Sequence, residues 1–237
     1  MQEHPAGEPR RNEKPLFRTL LEPFAALALV FAGVFVAAAS YGLLTSSAGG
    51  DGELALPAAL LGITVQSLLL AGMGRWLRHR HGLDRELGTA VSRPWLPALL
   101  GGPAVYATSL AVAVVAGFAG LEIREQAWLA DQLADPARMA VLAPWIVVIA
   151  PWAEEIFFRG YVQRLVEGRL GAVAGLGLSA ALFAAIHWNP SGLPLYFAIG
   201  LVLGLLYNAS RRLWVPMVAH AVHNALVLLG FLMLPHS

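Results

Sequence analysis

Two adjacent glutamates, Glu154 and Glu155, lie in an apolar stretch of the sequence and are followed four residues later by Arg159. Residues four apart on a helix share a face, so Glu155 and Arg159 can pair, whereas Glu154 points about 100° away around the axis. The arginine would neutralise one carboxylate and leave Glu154 to take up and release a proton, a division that acid–base chemistry needs. A buried Glu155–Arg159 pair that only fixes helix packing is an equally open interpretation.

Further polar groups of this kind occur in two later apolar stretches. Phe183 and His187 are four apart, and Pro190 ends a helix or starts a turn shortly afterwards. His220 and Asn224 are also four apart and therefore share a helix face. A neutral amide such as Asn224 can donate a fixed hydrogen bond to a developing oxyanion. The alternative is that His220 and Asn224 only hold neighbouring helices together through hydrogen bonds.

The elements that position these residues follow from composition. Of 237 residues, 57% are hydrophobic and 13% charged, with a mean hydropathy of +0.63, whereas soluble domains carry about a quarter charged residues. A membrane-spanning helix needs about 20 apolar residues. The sequence therefore predicts an all-α, polytopic membrane bundle of about seven transmembrane helices, with the fifth and sixth the shortest. Its apolar runs are 24–44, 54–77, 95–120, 139–166, 172–188, 193–209 and 213–234.

The basic residues predict how this bundle is oriented. If the seven runs cross the membrane in turn, 14 of the 16 Lys and Arg residues lie on the side of the N-terminus, and only Arg124 and Arg138 lie on the other. Basic residues of membrane proteins are retained in the cytoplasm. We therefore expect a cytoplasmic N-terminus and a C-terminus outside.

Composition also suggests how the chain is organised. Residues 1–23 are expected to form a cytoplasmic tail, 24–120 the N-terminal transmembrane helices, 121–138 an outer loop or interfacial helix, and 139–234 the catalytic transmembrane core. The alanines at 37–39 resemble a signal-peptide cleavage site, but the apolar run continues beyond them behind a long charged N-terminus. An uncleaved anchor is therefore expected.

Several classes of function are disfavoured by what the sequence contains. The net charge of +1 gives nucleic acid no electrostatic foothold, and the absence of cysteine removes disulfides and thiolate chemistry. There is no Gly-x-Ser-x-Gly elbow and no glycine-rich phosphate loop before a lysine. A serine nucleophile and nucleotide hydrolysis are both disfavoured.

Three motifs follow one another on successive apolar runs: Glu154-Glu155-x-x-x-Arg159, Phe183-x-x-x-His187 and His220-x-x-x-Asn224. Their residues and order resemble the CAAX-protease and bacteriocin-processing family, also called CPBP or Abi. This family comprises intramembrane endopeptidases, among them the eukaryotic prenyl-protein CAAX proteases. The resemblance covers roughly residues 145–229, and the first three predicted helices carry no signature of it.

The resemblance implies helices that enclose a cavity within the bilayer, where water is activated to hydrolyse a peptide bond. It implies that Glu154 is the general base, supported and oriented by Glu155 and Arg159. His187 and Asn224 would position the substrate carbonyl or stabilise its oxyanion. The implied substrate is a peptide presented from the membrane, such as a prenylated C-terminus, a transmembrane peptide or a leader peptide.

The role of His220 is tied to the question of a metal. The resemblance implies that His220 completes the polar cluster by binding water or a metal ion. Glu154, His187 and His220 would be the ligands of a divalent metal such as zinc, but the sequence lacks His-Glu-x-x-His and requires no cofactor.

Other functions compete with proteolysis. A membrane protein of the same fold could bind a peptide, or confer immunity, without cutting it. A proton-coupled transporter is disfavoured because the polar groups crowd into one half and no repeat symmetry is visible. The expected partners are a membrane-associated peptide or protein and the lipid bilayer, without nucleic acid. The Ala-, Gly- and Arg-rich composition suits a prokaryotic inner membrane.

Overall fold

The computed structural model describes residues 15–46, 55–84, 93–123 and 132–233. Within these ranges the regular structure is entirely helical, which confirms the predicted all-α bundle. The described helices are α1 (Leu16–Ser46), α2 (Ala55–Arg80), α3 (Trp95–Phe118), α4 (Pro136–Leu170), α5 (Ala172–Ala185), α6 (Leu193–Ser210) and α7 (Trp214–Met233).

Six of these helices are long and apolar enough to cross a membrane, and α5 is shorter. Its 14 residues give a length of about 21 Å, against a hydrocarbon core of about 30 Å. The apolar run predicted for this segment extended to residue 188, but the helix ends at Ala185 and Trp188 adopts a φ of 49°. Apolar composition thus continues past the point where the backbone leaves the helix.

The first helix begins at Leu16, eight residues before the predicted start. Residues 16–23, which were expected in the cytoplasmic tail, are therefore helical. The polar residue Glu22 does not end this helix, because it pairs with residues at the C-terminal end of α2. Its Oε2 lies 2.6 Å from His81 Nε2, and its Oε1 lies 3.6 Å from Arg80 Nη1. Residues 124–131 of the predicted outer segment 121–138 lie outside the described residues.

Helix α4 carries the paired glutamates and is interrupted by wider turns. Asp135 caps its start, since its Oδ1 accepts a 2.8 Å hydrogen bond from the backbone N–H of Ala137. Two stretches are π-helical, Trp145–Ile149 and Phe158–Gln163. The first directly precedes Pro151, which lacks a backbone donor. Such π-turns are frequent at functional sites, and here they flank Glu154 and Glu155.

Small residues allow the C-terminal helices to approach closely. Gly171 joins α4 to α5 with a φ of +87°, a conformation that favours glycine. A Cβ at Gly175 would lie 2.7 Å from the carbonyl oxygen of Gln163, and one at Gly200 would lie 3.0 Å from the Cα of Ala180. Gly175 and Gly200 each belong to a Gly-x-x-x-Gly pattern, 171–175 and 200–204, so each pattern places a glycine at a close helix contact.

Candidate active site

The predicted pairing of Glu155 with Arg159 is confirmed. Arg159 Nη1 donates a 2.8 Å hydrogen bond to Glu155 Oε1, and both side chains are fully buried. The second terminal nitrogen of Arg159 donates to the carbonyl oxygen of Gly200 at 2.8 Å. The guanidinium also lies 4.8 Å from the centre of the Phe183 ring. A full positive charge is thus held at bilayer depth by a carboxylate, a carbonyl and an aromatic face.

His220 connects this ion pair to the second glutamate. Its Nδ1 lies 3.1 Å from Glu155 Oε1, and its Nε2 lies 3.9 Å from Glu154 Oε2. Because an ionised carboxylate only accepts, His220 donates from Nδ1 to Glu155 and a neutral ring carries its lone pair on Nε2. Arg159, Glu155, His220 and Glu154, which we call the buried cluster, therefore form a continuous polar chain across α4 and α7.

His187 lies just beyond the end of α5, where its ring is fixed from two sides. Its Nδ1 is 2.8 Å from the carbonyl oxygen of Phe183, and its ring stacks on Tyr196 with centroids 3.9 Å apart. A carbonyl oxygen only accepts, so the proton is on Nδ1 and a neutral His187 carries its lone pair on Nε2. The oxyanion role that the resemblance implies would require a protonated His187.

Asn224 lies one turn beyond His220 on α7, as its spacing predicted. Its Nδ2 donates a 2.8 Å hydrogen bond to the carbonyl oxygen of Ile146, inside the first π-helical stretch. This bond joins α7 to α4 and matches the interpretation in which Asn224 holds helices together. An amide nitrogen carries two protons, so one donor remains for other chemistry.

A cavity of about 960 Å³ divides the predicted site residues into two groups. Its walls include Glu154, His187, His220 and Asn224, whereas Glu155 and Arg159 are buried behind them. The volume is at the upper end of the range for small-molecule sites. Only the four lining side chains can touch a molecule in this cavity. Glu155 and Arg159 can affect such a molecule only through their contacts with the lining residues.

Glu154, His187 and His220 are the residues that could have bound a divalent metal ion. Within the part of the chain that the structure describes, no three His, Asp or Glu side chains are placed to hold one metal ion. These three side chains are therefore not arranged as a ligand group.

Sequence reasoning missed two contributors to the site. Tyr196 stacks on His187 from the start of α6, and the carbonyl of Gly200 accepts a hydrogen bond from Arg159. Tyr196 lies outside the three motifs, and Gly200 contributes only its backbone carbonyl, so the motif residues gave no signal for either. Phe183 contacts the rings of Phe158, His187 and His220, with centroids 4.8–5.7 Å apart.

Comparison with known proteins identifies the segment that holds this site. Residues 136–226 match the family described as Type II CAAX prenyl endopeptidase Rce1-like. The chain is 35% identical over 83 residues to the putative membrane peptidase YdiL of Bacillus subtilis (strain 168), a match that covers 35% of this chain and 34% of that protein. It is 27% identical over 99 residues to the membrane-embedded CAAX protease MroQ of Staphylococcus aureus (strain USA300), covering 39% and 40%.

These matches span about a third to two fifths of the curated relatives, and no solved structure is similar to the chain. The matched segment contains the buried cluster together with His187 and Asn224. With six apolar helices of spanning length and relatives named as membrane proteins, the chain is an integral membrane protein. The match of residues 136–226 to the Rce1-like CAAX prenyl endopeptidase family agrees with the resemblance that the order of the three motifs indicated.

Proposed function

We propose that this protein is an intramembrane endopeptidase that hydrolyses a peptide bond with a water molecule activated by Glu154. One observation carries the proposal: Glu154 lines the cavity, whereas its neighbour Glu155 is fully buried in an ion pair. Two adjacent carboxylates thus have different environments, which is how one sequence motif can supply both a reacting group and its support.

The distance between Glu154 and His220 suits a shared water molecule. Two acceptors that each receive one hydrogen bond from the same water lie roughly 4–4.5 Å apart, and Glu154 Oε2 lies 3.9 Å from His220 Nε2. A water held there donates one proton toward each group, and its oxygen lone pairs face the cavity. Arg159 and Glu155 fix the orientation of His220 through the 2.8 and 3.1 Å contacts.

In the proposed reaction, Glu154 removes a proton from this water while the oxygen attacks the scissile carbonyl carbon. The carbonyl oxygen becomes an oxyanion, to which the second N–H of Asn224 can donate. As the C–N bond breaks, Glu154 returns the proton to the leaving nitrogen, giving an amine and a carboxylic acid that keeps the second proton of the water until it ionises. His187 adds a second donor to the oxyanion when its Nε2 is protonated.

The cavity location supports a substrate that is presented from the membrane. A prenylated peptide ending in a CAAX sequence is the first candidate, because the matching family is described by that substrate. Leader peptides and transmembrane peptides remain within the proposal. We place the protein in a prokaryotic inner membrane with a cytoplasmic N-terminus, an orientation that the distribution of Lys and Arg supports. Residues 139–234 would form its catalytic core.

The experiment compares wild-type protein with Glu154→Gln in two assays. The first follows cleavage of a farnesylated, fluorescence-quenched CAAX peptide by purified protein, and the second maps new protein N-termini in expressing membranes by mass spectrometry. A catalytic base contributes roughly 10²–10⁴-fold, so we expect Glu154→Gln to lose cleavage by that factor. Glu167→Gln is the matched control, since Glu167 lies on the same helix but pairs with Arg211 at 2.7 Å, away from the cavity.

Equal cleavage by wild type and Glu154→Gln would overturn the assigned base. If wild type produces no new N-termini in membranes and leaves the CAAX peptide intact, proteolysis itself fails. Binding of the peptide to both proteins without cleavage would then support the alternative, a peptide-binding or immunity protein of the same fold.

A further inference from the structure

His223 lies on α7 beside Asn224 but takes no part in the buried cluster. Its side chain is 4% exposed, and its Nδ1 has no hydrogen-bond partner among the residues that the structure describes. The ring lies 6.2 Å from that of Tyr106, which belongs to α3. A buried polar atom without a partner is unfavourable, and at bilayer depth such groups commonly mark function. His223 belongs to none of the three motifs.

His223 lines the same cavity as Glu154, and the other polar side chains there include Gln66 and Tyr106. Gln66 comes from the middle of α2, and Tyr106 from the middle of α3. The Tyr106 hydroxyl lies next to Gly230 near the end of α7, where an added Cβ would be 3.7 Å away. We call Gln66, Tyr106 and His223 the polar wall. Helices α2, α3 and α7 thus each bring a hydrogen-bonding side chain to one cavity.

The chemistry of the polar wall fits a peptide backbone. A peptide within an apolar cavity must find a partner for each N–H and C=O that it withdraws from water. Glu154, His220 and Asn224 can serve only the scissile peptide group and its water. An amide, a phenol and an imidazole can each donate and accept, which matches the alternating donors and acceptors of the neighbouring peptide groups.

We infer that the polar wall is a substrate-binding subsite that hydrogen-bonds the peptide backbone beside the scissile bond. The identity of the ligand rests on the proposed function. Because Tyr106 lies beside Gly230, the bound peptide extends toward the C-terminal end of α7. That end is opposite the ends of α2 and α6 that carry Arg78, Arg80 and Arg211. His223 and Tyr106 act here as positioning residues for substrate.

The test measures binding separately from cleavage. The Glu154→Gln protein, purified as the full chain, is titrated against a fluorescent farnesylated CAAX peptide, and the Kd is read from polarisation. Tyr106→Phe and His223→Leu are added singly to this background. Each removes one neutral hydrogen bond, so we expect the Kd to rise about 3- to 10-fold. His223→Gln retains a donor and an acceptor and is expected to restore most of the affinity.

Tyr161→Phe is the matched control. Tyr161 is a fully buried tyrosine outside the cavity, whose hydroxyl also has no hydrogen-bond partner among the described residues. Tyr161→Phe removes the same hydroxyl group as Tyr106→Phe, so a general effect of replacing tyrosine by phenylalanine on the fold would appear in this control too. We expect the Kd of this control to equal that of the Glu154→Gln parent.

In the protein that retains Glu154, Tyr106→Phe is expected to raise KM by the same factor as it raises Kd in the Glu154→Gln background, and to change kcat less than twofold.

The outcomes separate the subsite from the proposed reaction. Unchanged affinity in Tyr106→Phe and in His223→Leu overturns the subsite, even if wild type cleaves the peptide. Equal weakening by Tyr161→Phe does the same, because the effect is then not local. Failure of the parent to bind the peptide overturns the subsite for this class of ligand. Weakened binding in a protein that never cleaves supports the subsite while the proposed protease function fails.

Discussion

The N-terminal helices α1–α3 and the C-terminal helices α4–α7 bury different kinds of side chain. In the described part of α1–α3, the buried polar side chains are the neutral Thr19 and Ser67, whereas α4–α7 bury charged and titratable groups. The latter are Glu154, Glu155, Arg159, Arg164, His220 and His223. Desolvating a charge is unfavourable unless it is paired, so packing alone does not account for the charged groups buried in α4–α7.

The two halves contribute to the cavity in different ways. The N-terminal helices pack closely against the C-terminal ones: Trp145 Nε1 of α4 donates a 2.8 Å hydrogen bond to Thr64 of α2, and a Cβ at Gly74 would lie 3.0 Å from the Cα of Phe157. They also supply Gln66 and Tyr106 to the cavity. The first half therefore lines part of the cavity with neutral side chains, while the second half carries the groups that we propose to react.

The largest effect on stability is expected from breaking the buried cluster. Arg159→Met leaves Glu155 buried without its ion-pair partner, so we expect the free energy of unfolding to fall by about 3–5 kcal/mol. The double variant Glu155→Leu/Arg159→Met removes both charges and should be more stable than Arg159→Met. Unfolding by SDS titration in mixed micelles gives the comparison.

Arg211→Met is the control for this prediction, because the Glu167–Arg211 pair is about one fifth exposed and such pairs contribute about 0–1 kcal/mol. If Arg159→Met and Arg211→Met lower the free energy of unfolding equally, the buried Glu155–Arg159 pair contributes no more to stability than the partly exposed Glu167–Arg211 pair.

A smaller effect is expected from the contact between the two halves. Gly102 of α3 faces α7, and a Cβ there would lie 2.4 Å from side-chain atoms of Val222. Gly102→Ala should therefore lower the free energy of unfolding by about 1–3 kcal/mol through overpacking, and adding Val222→Ala should recover part of it. Gly72→Ala is the control, since no atom lies within 4 Å of its added Cβ. A loss of stability no larger than that of Gly72→Ala would show that the halves are not closely packed.

The smallest effect is expected within the N-terminal half. Glu22 contacts His81 at 2.6 Å, and both side chains are partly exposed. Glu22→Gln should lower the free energy of unfolding by at most about 1 kcal/mol and leave peptide cleavage within twofold of wild type. A tenfold loss of cleavage in a folded Glu22→Gln protein would contradict the assignment of the proposed reactive groups to the C-terminal helices alone.

Much of this architecture could be predicted from local properties of the sequence. Helices follow from apolar runs because every backbone polar group in lipid must be satisfied internally. The contact between Glu155 and Arg159 follows from a spacing of four on one helix. Boundaries were less predictable: α1 extends to Leu16 because Glu22 has a partner on α2, and α5 ends at Ala185 inside an apolar run.

Residue types and their spacing were enough to predict the helical class, the residues able to do acid–base chemistry and the pairing of Glu155 with Arg159. The contact of His220 with Glu155, 65 residues away, and its approach to Glu154 became visible only in the folded protein. The fold also shows that Glu154 faces the cavity while Glu155 does not, and that Tyr196 stacks on His187. Helical spacing fixes which side chains share a face, but partners on other helices depend on how those helices pack, which no local pattern encodes.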